Sequence, residues 1–265
     1  MRFKIPVHCP RCDTPTRIRT SRKMTSGYYV VHRECKNKAC GERFKTEETF
    51  IDSTGEDPLK PFALDVLEPR QCALIIIDQQ DANALRSFRF KRNNPKAELY
   101  MLKMLHAWRE HSLSVIHVRH LSRDPESHFS PGCPGSNFQP DFKPLPNEHI
   151  VDKSIPDAFL NTDLEAWLRK RGIEQLVICG ATSDGSIEGS VRTARNLGFT
   201  VWVPDDACYA FSKYAYDGSH VPAEYAHTIA MTNLHHGQST VVDTSMVLLA
   251  VKDSVGEKGK VRHQR

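Results

Sequence analysis

The chain has 265 residues, 36 Lys and Arg against 32 Asp and Glu, and 39% hydrophobic residues, enough for one large domain or a domain plus a small module and too apolar for wholesale disorder. No run of about 18 apolar residues occurs, and Met1-Arg2-Phe3-Lys4 opens without an apolar signal core, so a soluble, cytoplasmic protein with no membrane partner is expected. The net charge of +4 hides a division: residues 1–46 carry 12 basic and 3 acidic side chains, the rest of the chain 24 and 29. A basic head on a mildly acidic body assigns any polyanionic partner to the head.

The head holds four of the eight cysteines, spaced Cys9-x2-Cys12, then 22 residues, then Cys35-x4-Cys40. Two close pairs let two tight knuckles present four thiolates to one tetrahedral Zn²⁺. Between them, Gly27 to His32 is rich in strand formers, and Phe44 follows the second knuckle. So short a segment cannot build a sufficient apolar core, so metal binding should supply much of its folding free energy. The segments Cys9-Pro10-Arg11-Cys12, Arg17 to Arg22, Tyr29, Cys35 to Gly41 and Phe44-Lys45-Thr46 resemble the Ogr/Delta family of small zinc-binding activators of phage late transcription. That resemblance implies structural zinc on Cys9, Cys12, Cys35 and Cys40, and contact with DNA and host RNA polymerase. Arg17, Arg19, Arg22 and Lys23 are the candidates for phosphate or partner contact, against the plainer reading that they only solvate a ribbon face.

Ile51 to Pro58 is acidic, polar and punctuated by Gly and Pro, the composition of a linker. The expected organisation is a zinc ribbon over 1–50, a linker over 51–60, a body over 61–252 and a flexible basic tail over 253–265. In the body, Ala73 to Ile77 is a continuous apolar run ending at Asp78, as for a strand buried on both faces. Ser114 to Arg119 is a second strand, and Lys153 falls in a loop or short strand. Leu160 to Arg171 reads as a helix with Leu160, Leu164, Trp167 and Leu168 on one face and Gly172 as its stop. Gln175 to Cys179 is a third strand; Ile187, Val191, Ala194 and Leu197 stripe the next helix, closed by Gly198. Thr200 to Val203 is a fourth strand, and Ala223 to Leu234 a further helix. This alternation predicts an α/β fold, a Rossmann-like three-layer α/β/α sandwich with a mostly parallel sheet. Polar residues just after the strand C-termini are then the site candidates: Asp78, Lys153, and Ser186 at a helix N-terminus.

The segments Ala73 to Asp78 with Gln80, Lys153 to Phe159 with Thr162-Asp163-Leu164, Gly180 to Arg192, Asp206-Ala207-Cys208, and His227 with Asn233-Leu234 resemble the isochorismatase-like, or cysteine hydrolase, superfamily over about residues 60–250. The resemblance implies a hydrolase, often oligomeric, in which an Asp takes a thiol proton, a Lys steers charge and a Cys attacks an amide carbonyl. Asp78 and Lys153 match the first two; Ser186 stands where the Cys belongs. The implied oxyanion hole uses the backbone N–H groups of Thr182 and Ser186, beside a cis peptide between Ala181 and Thr182. A hydroxyl is far less acidic than a thiol and must lose its proton during attack, so the body is expected to hydrolyse a small amide or carbamoyl compound through Ser186 or without a covalent step. Two other readings stay open: a vinyl-ether hydrolase with Asp78 as acid, and an enzyme-derived sensor or dimerisation unit on a DNA-binding regulator. Cys72, Cys179 and Cys208 are expected in the core, and Cys133 in a loop. His117 with His120, and His235-His236, offer possible metal ligands, but Asp81 to Leu85 with Phe88-Arg89-Phe90 lacks the Asp and histidines that the resemblance implies after the first strand of a metal-using amidase, so no metal is expected in the body.

Overall fold

The computed structural model describes residues 7–25, 28–49, 67–235 and 237–256, and the chain forms two compact units, Met1–Ala63 and Leu64–Arg265. The expected linker over 51–60 and residues 257–265 lie outside the described residues.

The first unit is an antiparallel ribbon of β1 (Thr16–Thr25), β2 (Tyr28–Cys35) and β3 (Arg43–Thr49) in the order β1-β2-β3. The backbone closes tightly on both sides of it. Asp13 N–H donates to Cys9 O at 2.9 Å and Cys40 N–H donates to Asn37 O at 3.0 Å, which folds each cysteine pair into a knuckle. Among the residues of this unit whose side chains are described, Cys9, Val31 and Cys35 are the buried hydrophobics, and a unit this small rarely holds together by hydrophobic burial alone.

The second unit carries β4 (Cys72–Ile77), α1 (Asp81–Arg89), α2 (Ala97–Glu110), β5 (Ser114–His120), β6 (His149–Lys153), α3 (Leu164–Lys170), β7 (Gln175–Ala181), α4 (Glu188–Asn196), β8 (Thr200–Pro204), β9 (Cys208–Tyr209), β10 (Lys213–Tyr214), β11 (His220–Val221), α5 (Ala223–His235), β12 (Thr240–Val242) and α6 (Thr244–Gly256). The main sheet runs β12-β8-β7-β4-β5-β6 with every pair parallel, and β9 adds to the far end of β7. Strand β4 lies at its centre, buried along its whole length, which is why it reads as an unbroken apolar run. Helix α2 packs on β4, β5 and β7 and against α6, while α4 packs on β8 and against α5. The result is a three-layer α/β/α unit of the expected class. No described helix is long and apolar enough to cross a membrane.

Two expectations need correction. The helix predicted from Leu160 begins only at Leu164, and Leu160 is 52% exposed. The preceding turn is held otherwise: Asp157 Oδ1 accepts from the Phe159 and Leu160 N–H groups, the Thr162 hydroxyl donates to Ala158 O, and Asn161 sits at φ +61°. Local side-chain bonds there outcompete the helix. The tail is the second: α6 carries the backbone as far as Gly256, past the boundary set at 252.

Candidate active site

Three strand ends converge. Asp78 directly follows β4 at φ +55°, a left-handed conformation uncommon for a residue with a Cβ. It is held there by its own N–H donating to Val118 O at 2.9 Å and by Asn83 Nδ2 donating to its carbonyl at 2.7 Å. Lys153 closes β6, and Ser186 lies in a wide turn, Ser183–Ile187, between β7 and α4. The strand leading into that turn presses close to β4: a Cβ on Gly180, at φ +125°, would lie 2.1 Å from Ile77 O. Only glycine fits there.

The three side chains, 75 and 108 residues apart along the chain from Asp78, meet in one triangle. Lys153 Nζ donates to Asp78 Oδ2 at 2.8 Å and to Ser186 Oγ at 2.9 Å, and Ser186 Oγ donates to Asp78 Oδ2 at 2.8 Å. All three residues are buried. Asp78 Oδ1 is buried with no hydrogen-bond partner among the described residues. A buried acceptor left unpaired is costly unless something else binds it. The Ala181–Thr182 peptide is cis, and Thr182 O accepts the Gly185 and Ile187 N–H groups, each at 3.1 Å, curling the chain so that Ser186 faces Asp78.

A set of buried polar residues, none given a role by the sequence pattern, braces this turn and the strand ends around it. Ser183 Oγ lies 2.7 Å from His227 Nδ1 on α5; burial pushes the His227 pKa below its ordinary value. Ser190 Oγ donates to Ser186 O at 2.6 Å and accepts from Ala158 N–H at 2.9 Å, tying the loop after β6 to α4. Asp157 Oδ2 accepts from the Thr193 hydroxyl across the same seam. Gln80, fully buried, donates to His120 O and Ser136 O, each at 2.9 Å, and accepts from His120 N–H at 2.8 Å. The quoted motifs held Gln80, Asp157 and His227, but a motif does not say what its polar members bond to.

Other candidates lie elsewhere. His117 is buried with Nε2 2.9 Å from Glu148 Oε2, and Arg109 donates to Glu148 through Nε at 2.7 Å and Nη2 at 2.9 Å. Burial holds the His117 pKa low. A cavity of about 190 Å³ lined by Arg109, Ser114, Glu148, Trp167 and Arg171 opens at the start of β5, the opposite edge of the sheet from Asp78. Cys72, Cys179 and Cys208 are core residues, and burial raises the pKa of each thiol; Cys179 lies within β7 and cannot stand in for a nucleophile.

In the ribbon the four cysteine sulfurs lie within 4.8 Å of one another, with Cys9–Cys40 at 3.8 Å and Cys12–Cys35 at 3.4 Å. Tetrahedral thiolates at about 2.3 Å from Zn²⁺ are about 3.8 Å apart, so the donor set fits that ion. Arg17 and Arg19 do not stand free. Arg17 Nη2 donates to Glu34 Oε2 at 2.7 Å, Arg19 Nε lies 4.0 Å from the same oxygen, and Arg43 Nε donates to Glu34 Oε1 at 3.2 Å. The two nearest guanidinium groups, Arg17 and Arg43, hold the Glu34 carboxyl below its ordinary pKa. The side chains of Arg22 and Lys23 lie outside the described residues.

A parallel α/β sandwich with an Asp–Lys–Ser triangle at the carboxyl end of its sheet places the chain among α/β proteins that carry their site at the strand ends. Comparison with known proteins narrows the class. The Isochorismatase domain model matches residues 72–245 and the Ogr/Delta-like zinc finger model residues 8–54. The chain belongs to the isochorismatase family and carries an Ogr/Delta-type zinc finger ahead of that domain. The isochorismatase family protein YrdC of Bacillus subtilis is 33% identical over 176 residues, 66% of this chain and 94% of that protein. Streptothricin hydrolase of Streptomyces noursei is 37% identical over 92 residues, 34% of this chain and 33% of its own length. A crystal structure of an isochorismatase-family protein from Chromobacterium violaceum superposes with a TM-score of 0.67 at 35% identity, covering 71% of this chain and 96% of its own.

Proposed function

We propose that the body hydrolyses a small amide or carbamoyl compound with Ser186 as nucleophile. The observation that carries this reading is the single Ser186 hydroxyl that donates to Asp78 and accepts from Lys153. Asp78 takes the hydroxyl proton as the Oγ–C bond forms and the carbonyl π pair moves to oxygen. Lys153 donates to Oγ throughout, which stabilises the developing alkoxide that a serine, unlike a cysteine, cannot reach unaided. The Thr182 and Ser186 backbone N–H groups form the expected cradle for the oxyanion. Collapse breaks the C–N bond as Asp78 returns the proton to nitrogen, and water then cleaves the acyl ester by the same route.

The vinyl-ether reading fits less well. It needs Asp78 to donate a proton, whereas Asp78 Oδ2 stands as the acceptor of hydrogen bonds from both an ammonium and a hydroxyl. In the head, Cys9, Cys12, Cys35 and Cys40 would hold a structural Zn²⁺, and the ribbon would present Arg17, Arg19, Arg22 and Lys23 to nucleic acid or a transcription partner.

Screening the full chain, Asp78→Asn and Ser186→Ala against amides, carbamoyl compounds and isochorismate tests the proposal. Turnover of an amide or carbamoyl compound, lost in both variants, is expected. Turnover of isochorismate alone, kept in Ser186→Ala, would replace it with the vinyl-ether reading, and no turnover at all would leave the sensor.

A further inference from the structure

In sequence His120 is only a neighbour of His117, and the fold brings it beside Lys153. It ends β5 as the direct register partner of Lys153 on β6. One residue earlier, Arg119 and Asp152 are likewise partners, and their side chains are joined by Nε at 2.8 Å and Nη2 at 2.7 Å. Side chains alternate along strands and partners share a face. His120 therefore projects with Lys153, whose ammonium reaches Asp78 and Ser186.

The surroundings are those of a ligand contact. Gln80 pins the His120 backbone at both N–H and carbonyl, and Phe129 packs edge-on against the ring at 5.5 Å between centroids. The half-buried ring itself has no hydrogen-bond partner among the described residues. Burial first, and the Lys153 ammonium second, hold its pKa below the ordinary histidine value, so at neutral pH it offers one N–H and one lone pair. Asp78 Oδ1, whose charge acts on the ring, is likewise unpaired among the described residues. Each presents a lone pair that no described residue fills, and a ligand that brings N–H donors would pair both.

We infer that His120 is a specificity-determining contact of this site, accepting a hydrogen bond from a substrate N–H and so selecting terminal carbamoyl groups, –CO–NH2, over their alkoxy counterparts. The inference rests on the hydrolase reading for its substrate class, but binding tests it separately from turnover. N-carbamoylglycine and N-methoxycarbonylglycine differ only in NH2 against OCH3 at the carbonyl. Calorimetric titration of the full chain is expected to give about 10-fold tighter binding of the carbamoyl compound. The preference should collapse in His120→Phe, which keeps a ring but no acceptor, and persist in His120→Gln, which restores one. Equal binding of the two probes, no saturable binding of either, or a preference unchanged in a folded His120→Phe variant would overturn the assignment. Ser186→Ala separates the two claims. A preference kept there while no variant or wild-type protein turns over the probe, or any carbamoyl compound, sinks the hydrolytic reading alone, whereas turnover with no preference sinks the role of His120 alone.

Discussion

The Lys153 ammonium stands 2.8 Å from Asp78 Oδ2 with its side chain wholly removed from solvent, and it could not occupy that position without the carboxylate. Two charges taken out of water repay their desolvation only through each other. Lys153→Met is therefore expected to lower stability by about 3 kcal/mol, because it leaves Asp78 buried and uncompensated. The double variant Asp78→Asn/Lys153→Met should recover much of that loss. Urea unfolding of the wild type, both single variants and the double one measures the coupling; additive losses would mean the two charges do not depend on each other for burial.

Ser186→Cys tests how far the site is built for a thiol. A thiolate forms near neutral pH with modest help, so a site retaining the geometry of a cysteine enzyme should hydrolyse an amide substrate faster as the cysteine form, by about 10-fold or more. The variant should also be inactivated by iodoacetamide where the wild type is not. A slower, unreactive cysteine form would show that the Lys153–Ser186 contact at 2.9 Å is tuned to the hydroxyl.

Much of this architecture was legible from pattern. The unbroken run Ala73 to Ile77 announces a central parallel strand because burial on both faces removes any need for alternation, and the polar residue ending it marks a candidate site. Helix α2 carries an equally plain signal in Met101, Met104, Leu105 and Trp108, all buried, though its stripe bears no residue of chemical interest. The three-residue β12 is too short to show a period. What pattern cannot supply is pairing. Nothing in the one-dimensional order says that Ser183 meets His227, or that Glu34 sits beneath three arginines, since those contacts are created by the packing of distant elements.

Stability should fall on mild acidification. His117, His120 and His227 all have folded pKa values below the ordinary histidine value, each chiefly through burial. The unfolded chain therefore takes up protons that the folded one refuses, so stability fully present above about pH 6.5 declines as pH falls from that value through the lower folded ones. Melting curves from pH 7.5 to 5.5 should show a declining Tm, with a shallower decline in His227→Gln, which removes one of the three groups. Equal slopes would mean that His227 takes up its proton in the folded state as readily as in the unfolded one.

Metal removal should act on one unit and spare the other. Among ribbon residues whose side chains are described, Cys9, Val31 and Cys35 are the buried hydrophobics, against a body core that runs through every strand of the main sheet. Folding free energy supplied by a structural ion is lost with it. A strong chelator under reducing conditions should release one Zn²⁺ per chain and expose residues before Leu64 to protease, while the main thermal transition is unchanged. Release of no zinc, or protection of the head after chelation, would contradict a metal-built ribbon.

The charge pattern of the ribbon makes the nucleic-acid reading testable at one residue. Glu34 is largely covered by the side chains around it and accepts from Arg17 and Arg43, with Arg19 at 4.0 Å. It thus occupies the place that a phosphate oxygen would take between guanidinium groups. If those arginines meet the DNA backbone, a phosphate must compete with this carboxylate. Glu34→Gln should then tighten binding to duplex DNA and steepen the dependence of log K on log salt by about one unit, since one more cation is free to displace a counterion. Arg17→Ala should weaken binding and flatten the slope. Fluorescence anisotropy at several salt concentrations reads both. If Glu34→Gln leaves affinity and slope unchanged while the ribbon keeps its zinc, the Arg17–Arg19–Arg43 face does not touch DNA, and its arginines serve to cross-link β1, β2 and β3.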